Sequence, residues 1–289
     1  MATQMLFYQD IAAVSKENHR DLAFKPIGDY GFAKKVNSVP LLITEFFNAC
    51  GEFPIVFAGS EDAVLPHAII GTRAQENLFV DADGKWQAKY VPAFIRQYPF
   101  VFAGTNDGKS LTLCIDESCP GFNREGQGER LFDADGNQTM YLNNVIEFLQ
   151  SYQASFQATT AFCKKIKELG LLTPMQASVT WASGEVNNLT GFQGIDAKKL
   201  RELEDDTVLE LHKSGGLEAL HAQLFSMQNF RSITELSQPA AKEEANSAEE
   251  VPAEGNGSED AEATANSPSE GEAEPKPAKK KAAAKSKAK

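Results

Sequence analysis

The side chains best suited to chemistry are the few charged residues that interrupt apolar runs: Glu45 in LLITEFF, Arg96 in AFIRQYPF and Asp116 at the end of SLTLCID. A charge seldom sits in such a run unless it is paired or serves a pocket. Both readings stay open from spacing alone, structural ion pairs or the polar groups of a binding site. Four histidines are present, His19, His67, His212 and His221. His221 shares a helical face with Leu217 and Leu224 and reads as a hydrogen-bonded core residue, whereas His19, in ENHRDLAF beside Arg20, is expected to be partly exposed. His19, Arg96 and Asp116 therefore form the candidate ligand-binding set, with no catalytic residue assigned.

Other chemistries find less support. The histidines show neither paired H-x-x-x-H spacing nor a cysteine at zinc-finger distance, so no metal is expected. Asp81-Ala82-Asp83-Gly84 and Asp133-Ala134-Asp135-Gly136 alternate acids before glycine, yet neither supplies the third ligand and closing bidentate Glu of an EF-hand loop. Asp-Gly turns joining strands account for both. Cys114 and Cys119 enclose four residues, too many for a C-x-x-C redox pair. No G-x-S-x-G, P-loop or G-x-G-x-x-G occurs, and no cofactor is expected.

The elements that must position these residues follow from periodicity. Val39-Pro40 leads through LLITEFFNACGEFPIVFAG, and Val91-Pro92 leads through AFIRQYPFVFAG, so the chain contains an approximate repeat. Val39, Leu42, Ile43, Phe46, Phe47 and Cys50 have helical spacing, and Gly51 offers a stop. Each VFAG segment reads as a buried strand, followed by a turn and a return strand. The apolar set from Leu142 to Ile166 recurs at steps of three and four and predicts one helix of about 28 residues ending near Gly170, packed on the protein's own sheet. MQASVTW and VNNLTGFQGID suggest a third hairpin. Asp196 opens a short helix, Asp205 and Asp206 cap the next, and Gly215-Gly216 precedes a final helix through Phe230. The expected fold is α+β: an antiparallel or mixed sheet built from two helix-hairpin repeats plus a third hairpin, packed by a long helix and C-terminal helices.

A chain of 289 residues, 42% hydrophobic, is long enough for a substantial core. Its formal charge of −12 argues against a constitutive nucleic-acid binder. The start lacks a basic and then apolar leader, no run approaches the roughly 20 apolar residues of a membrane span, and four cysteines are few, so a reduced, cytoplasmic setting is expected. Composition divides the chain into residues 1–236, globular, and 237–289, expected to be disordered. Within that tail, residues 239–275 hold eleven acids and Lys242, and residues 276–289 hold seven lysines and no acid. The lysine block is a candidate contact for nucleic acid or anionic surfaces.

His19-Arg20-Asp21-Leu22, Asn37-Ser38-Val39-Pro40, EFPIVFAG, ENLFVDADGKW, KYVPAFIRQYPF, LCIDE, GERLFDADG, FLQSYQ and GLLTPMQ occur in the order characteristic of SapC-like proteins. Nearly all of residues 1–236 resembles that family. The family is named for an association with bacterial surface layers, and the resemblance implies a soluble binding or accessory module linked to the cell envelope, with a protein partner of unstated identity. The alternative is a small-molecule-binding protein or enzyme with a pocket between the repeated units. It brings no established catalytic residues to place on this chain.

Overall fold

The computed structural model describes residues 6–60, 63–104, 111–181, 184 and 186–237. Readings of the tail from 238 onward, including its lysine block, lie outside the described residues. The chain begins with a short strand, Ile11–Ala13 (β1), a helical turn, Lys16–His19 (α1), and a two-residue strand, Ala23–Phe24 (β2).

Proline has no N–H to give a neighbouring strand, and the residue before it is pushed out of the helical region. Val39-Pro40 meets both constraints at a sheet edge. Ser38–Pro40 (β3) is followed by a 3-10 turn, Ile43–Glu45, a single helical turn, Phe46–Ala49 (α2), and the hairpin Ile55–Ser60 (β4) and Ala63–Ile69 (β5). Among the described residues β3 pairs only with β5, so the missing N–H costs no ladder bond. The helix expected from Val39 to Cys50 is thus corrected to a strand and two short turns.

At the second Val-Pro, Pro92 caps one helical turn, Ala93–Arg96 (α3), which leads into the hairpin Phe100–Gly104 (β6) and Leu111–Asp116 (β7). Phe122–Asn123 (β8) and Glu129–Arg130 (β9) flank β2 in a small sheet. Met140–Glu168 (α4) is the 29-residue helix, capped by the Thr139 hydroxyl, which accepts the Leu142 N–H. The third hairpin is Leu172–Thr180 (β10) with Val186–Ile195 (β11). Ala197–Arg201 (α5), Asp205–Lys213 (α6), Gly216–Ser226 (α7) and Asn229–Leu236 (α8) complete the described chain. The single final helix expected through Phe230 is therefore divided in two between Ser226 and Asn229.

All described pairings are antiparallel, and they form separate sheets. One runs β10-β11-β4-β5-β3, a second β1-β7-β6 and a third β8-β2-β9. Where β11 meets β4 only Gln193 and Phe57 are paired, and a helix supplies the missing connections. The buried Gln223 on α7 donates to the Ile55 carbonyl at 2.9 Å and accepts the Ile195 N–H at 3.2 Å, while Ser226 accepts the Ile55 N–H at 2.9 Å. Satisfying these backbone groups makes a weak strand junction tolerable inside the core.

Two apolar clusters result. Around the five-stranded sheet lie Phe46, Phe53, Phe57, Phe94 and the C-terminal helices; around the second sheet lie Phe24, Phe100, Ile115 and Leu131. The helix α4 serves both, with Leu142 and Leu149 in one cluster and Tyr152, Phe162, Cys163 and Ile166 in the other. At 1.5 Å per residue it spans roughly 43 Å, enough to do so.

Candidate functional site

A groove of about 560 Å³ lies where three segments meet: the loop Pro26 to Phe32, the stretch Ile95 to Phe100, and the first turns of α4. Its walls are aromatic. Phe32 stacks on Tyr98 with ring centroids 4.0 Å apart and planes 19° apart, and Phe24, Phe100 and Tyr141 make a second group whose centroids lie 5.6–6.2 Å apart. Such surfaces gain most of their binding energy by excluding water from flat apolar ligands.

Arg96 stands on this wall and is exposed. Its Nε donates to the Val91 carbonyl at 3.0 Å, and its guanidinium carbon lies 5.4 Å from the Phe148 ring centre. Among the described residues no carboxylate lies within ion-pair distance of it. The backbone and the ring fix the arm while leaving the charge without an acid partner. Beside it Gln97 is 4% exposed, and its Nε2 is buried without a hydrogen-bond partner among the described residues.

Asp116 is placed behind the wall. It is fully buried and accepts the N–H groups of Gln9, Asp10 and Ser118 at 2.9–3.1 Å and the Ser118 hydroxyl at 2.6 Å. Burial would raise its pKa, but the bonds from Ser118, Asp10 and Gln9 outweigh that and hold it below the usual aspartate value. Its link to the groove is Tyr98, whose hydroxyl lies 3.4 Å from Oδ2. Burial, then Cys119 and Asp116, raises the Tyr98 pKa and keeps the phenol protonated.

His19, expected to be partly exposed, is fully buried. Its Nδ1 accepts the Ser15 N–H at 3.1 Å, which fixes the neutral tautomer carrying hydrogen on Nε2, and that N–H donates to Glu117 at 2.8 Å. The structure thus brings His19 and Asp116 to the same end of β7, and Tyr98 connects that end with the groove where Arg96 stands. His221, expected in the core, is exposed, its Nδ1 held 2.8 Å from the Leu217 carbonyl.

Glu45 is buried yet lies in no ion pair among the described residues. It accepts the Leu42 N–H at 2.9 Å, and the Tyr90 hydroxyl and Ala93 N–H each at 2.7 Å. It ties the first Val-Pro segment to the start of α3 and so fixes where Arg96 begins.

The two acidic turns are built alike. Asp81 accepts the N–H groups of Asp83 and Lys85, and Asp133 those of Asp135 and Asn137, at 2.8–2.9 Å. These carboxylates cap their own turns. The first also shapes the groove: Gly84 accepts the Tyr30 N–H at 2.7 Å, and a Cβ there would come within 1.9 Å of Asp29 Oδ1. Asp29 is one of the lining residues, and its Oδ1 accepts the Gly31 N–H at 2.6 Å. Among the described residues no cluster of three or more His, Cys, Asp or Glu is arranged for a metal, and no helix is long and apolar enough to cross a membrane.

Tyr98, Phe32, Tyr141, Phe148 and Gln97 complete the site, and none of them stands out in the sequence. The available signal is the aromatic density of Phe24 to Phe32 and Tyr141 to Phe148, which core packing would equally produce.

No curated protein and no solved structure matches the chain. The family model for SapC matches residues 14–233, a span containing the groove, the VFAG hairpins and both acidic turns. The chain belongs to the SapC family.

Proposed function

We propose that this SapC protein is a binding module whose groove holds a small organic molecule with a flat, apolar body and a polar end directed toward Arg96. The observation that carries the reading is the pairing of an aromatic-walled groove of about 560 Å³ with an arginine fixed through Nε and unmatched by any described carboxylate. Asp116 and His19 contribute by support: Asp116 holds the N-terminal segment and reaches Tyr98, while His19 braces Glu117. Both have their hydrogen-bonding capacity committed within the fold, which favours binding over acid–base turnover at this site. The envelope-linked accessory role implied by the family name supplies a setting for such a module. The Val-Pro segments, read as duplicated helix-hairpin units, would place the groove on the second unit.

The test is titration of the full chain with the neutral dye N-phenyl-1-naphthylamine. One saturable site is expected, with Val145→Trp, which fills the groove floor, weakening binding about tenfold or more. Absence of saturable binding, or a Val145→Trp protein that binds like the parent, overturns the reading.

A further inference from the structure

Resting on that reading, we infer that the polar end of the ligand is a carboxylate, held jointly by Arg96 and Gln97. Two independent features of the groove point there. The first is charge: Arg96 presents a guanidinium whose described surroundings contain no ion-pair partner, on a wall otherwise dominated by rings and aliphatic groups. Arg96 is exposed, so a ligand that covered it with a cation or a neutral hydrocarbon end would strip its water without replacing it, whereas a planar carboxylate matches the guanidinium fork. Asp29 also lines the groove, but it forms no ion pair with Arg96 among the described residues, and its Oδ1 accepts the Gly31 N–H.

The second is the orphan donor of Gln97. A buried amide without a partner costs on the order of 1–3 kcal/mol, so its retention calls for an explanation. Gln97 lines the groove and also borders a void of about 10 Å³ beside Tyr152 and Gln153. That void sits at the lower limit of what holds one water. The Nε2 atom itself is closed to solvent, so a carboxylate oxygen arriving at the neighbouring Arg96 would satisfy it once the amide turns toward the groove. Arg96 supplies charge and Gln97 supplies a neutral donor, together meeting both oxygens of one carboxylate. An amine would be repelled by the first, and a carboxamide would offer one acceptor oxygen and no opposite charge.

The experiment measures displacement of N-phenyl-1-naphthylamine from the full chain by 2-naphthoate and by its isostere 2-naphthamide, read as an affinity ratio. The parent protein is expected to favour the carboxylate about tenfold or more at low salt, with the preference shrinking as salt rises. Arg96→Gln is expected to bring the ratio near one, and Gln97→Leu to lower it several-fold. Should Gln97→Leu melt early, Gln97→Glu serves in its place and is expected to invert the preference by setting a second anion beside the ligand. A parent ratio near one, with the dye still bound saturably, overturns the carboxylate and leaves the groove reading intact. An unchanged ratio in Gln97→Leu or Gln97→Glu overturns the joint grip and assigns the amide to the void. Failure of the dye to bind at all removes both.

Discussion

Segments 39–59 and 91–104 start from nearly the same words and reach different ends. Counted from each Val-Pro, Glu45 and Gln97 occupy the same position, and both are 4% exposed. Glu45 is met by three donors, one of them the Ala93 N–H of the other segment, whereas the Gln97 amide nitrogen, itself a donor, finds no acceptor among the described residues. Their hairpins also part company, β4–β5 entering the five-stranded sheet and β6–β7 the sheet with β1. The first segment holds the fold and the second, supported by it, has a polar group to spare. A sequence likeness therefore says little about which copy carries function; hydrogen-bond satisfaction separates them.

The sharpest way to break this contrast is to remove both side chains in turn. Glu45→Ala strands the Leu42 and Ala93 N–H groups and the Tyr90 hydroxyl inside the protein, and is expected to cost about 3–5 kcal/mol in urea unfolding. Gln97→Leu discards an already unpaired amide and is expected to change stability by less than about 1 kcal/mol. Equal losses would dissolve the division of labour.

The acidic turns offer the same comparison on a smaller scale. Gly84 and Gly136 both have left-handed backbone, φ +79° and +78°. They differ in surroundings, since a Cβ at Gly136 would meet nothing closer than the Lys16 Cδ at 3.7 Å, against 1.9 Å to Asp29 at Gly84. Gly136→Ala should cost only the strain of its conformation, about 1 kcal/mol. Gly84→Ala carries the same strain and must also displace Asp29; we expect about 2–3 kcal/mol and weaker dye binding, because the wall from Asp29 to Phe32 shifts. A Gly84→Ala protein with unaltered dye affinity would detach this turn from the groove.

Asp116 tests the link between the N-terminal segment and β7. Its folded pKa lies below that of an unfolded aspartate, so its contribution is complete above about pH 4 and is lost as pH falls through the folded value. Asp116→Asn keeps one acceptor and loses the charge, and we expect a cost of about 1–2 kcal/mol at neutral pH that shrinks toward pH 3. A cost that stays constant between pH 6 and pH 3 would show that the charge contributes nothing. His67, whose pKa burial lowers, is present in both proteins, so its titration cancels from the difference.

The sequence discloses some of this and conceals the rest for physical reasons. The run from Leu142 to Ile166 is legible as a helix because one seam faces the core along its length, and Thr139 and Gly170 bound it with ordinary capping chemistry. The acidic turns are legible because every bond that makes them is local. The state of His19 is not, since its partner is 98 positions away, and neither is the groove, whose walls come from segments more than 100 positions apart. Arg96 can be singled out as a charge in an apolar run, but whether it faces ligand or carboxylate is decided by tertiary placement. The break between α7 and α8 is equally hidden, because the apolar spacing from Leu217 to Phe230 continues across it.

Val39 to Cys50 is the instructive failure, and it sets the smallest effect. Helical spacing places Phe46 and Phe47 together on a buried stripe, yet Phe46 is 1% exposed and Phe47 87%. The spacing misleads because Leu41 is still bonded to β5, through the Pro66 carbonyl, so the helical turn begins too late for Phe47 to rotate inward. Phe47 also lies in the seven residues, Phe46 to Glu52, by which the first segment exceeds the second before the aromatic-Pro step. Phe47→Ser should therefore alter stability by no more than about 0.5 kcal/mol, whereas Phe46→Ala should cost about 3–5 kcal/mol. If Phe47→Ser instead destabilised the isolated chain by more than about 1 kcal/mol, the ring would have to be packed in solution and the helical stripe would stand after all.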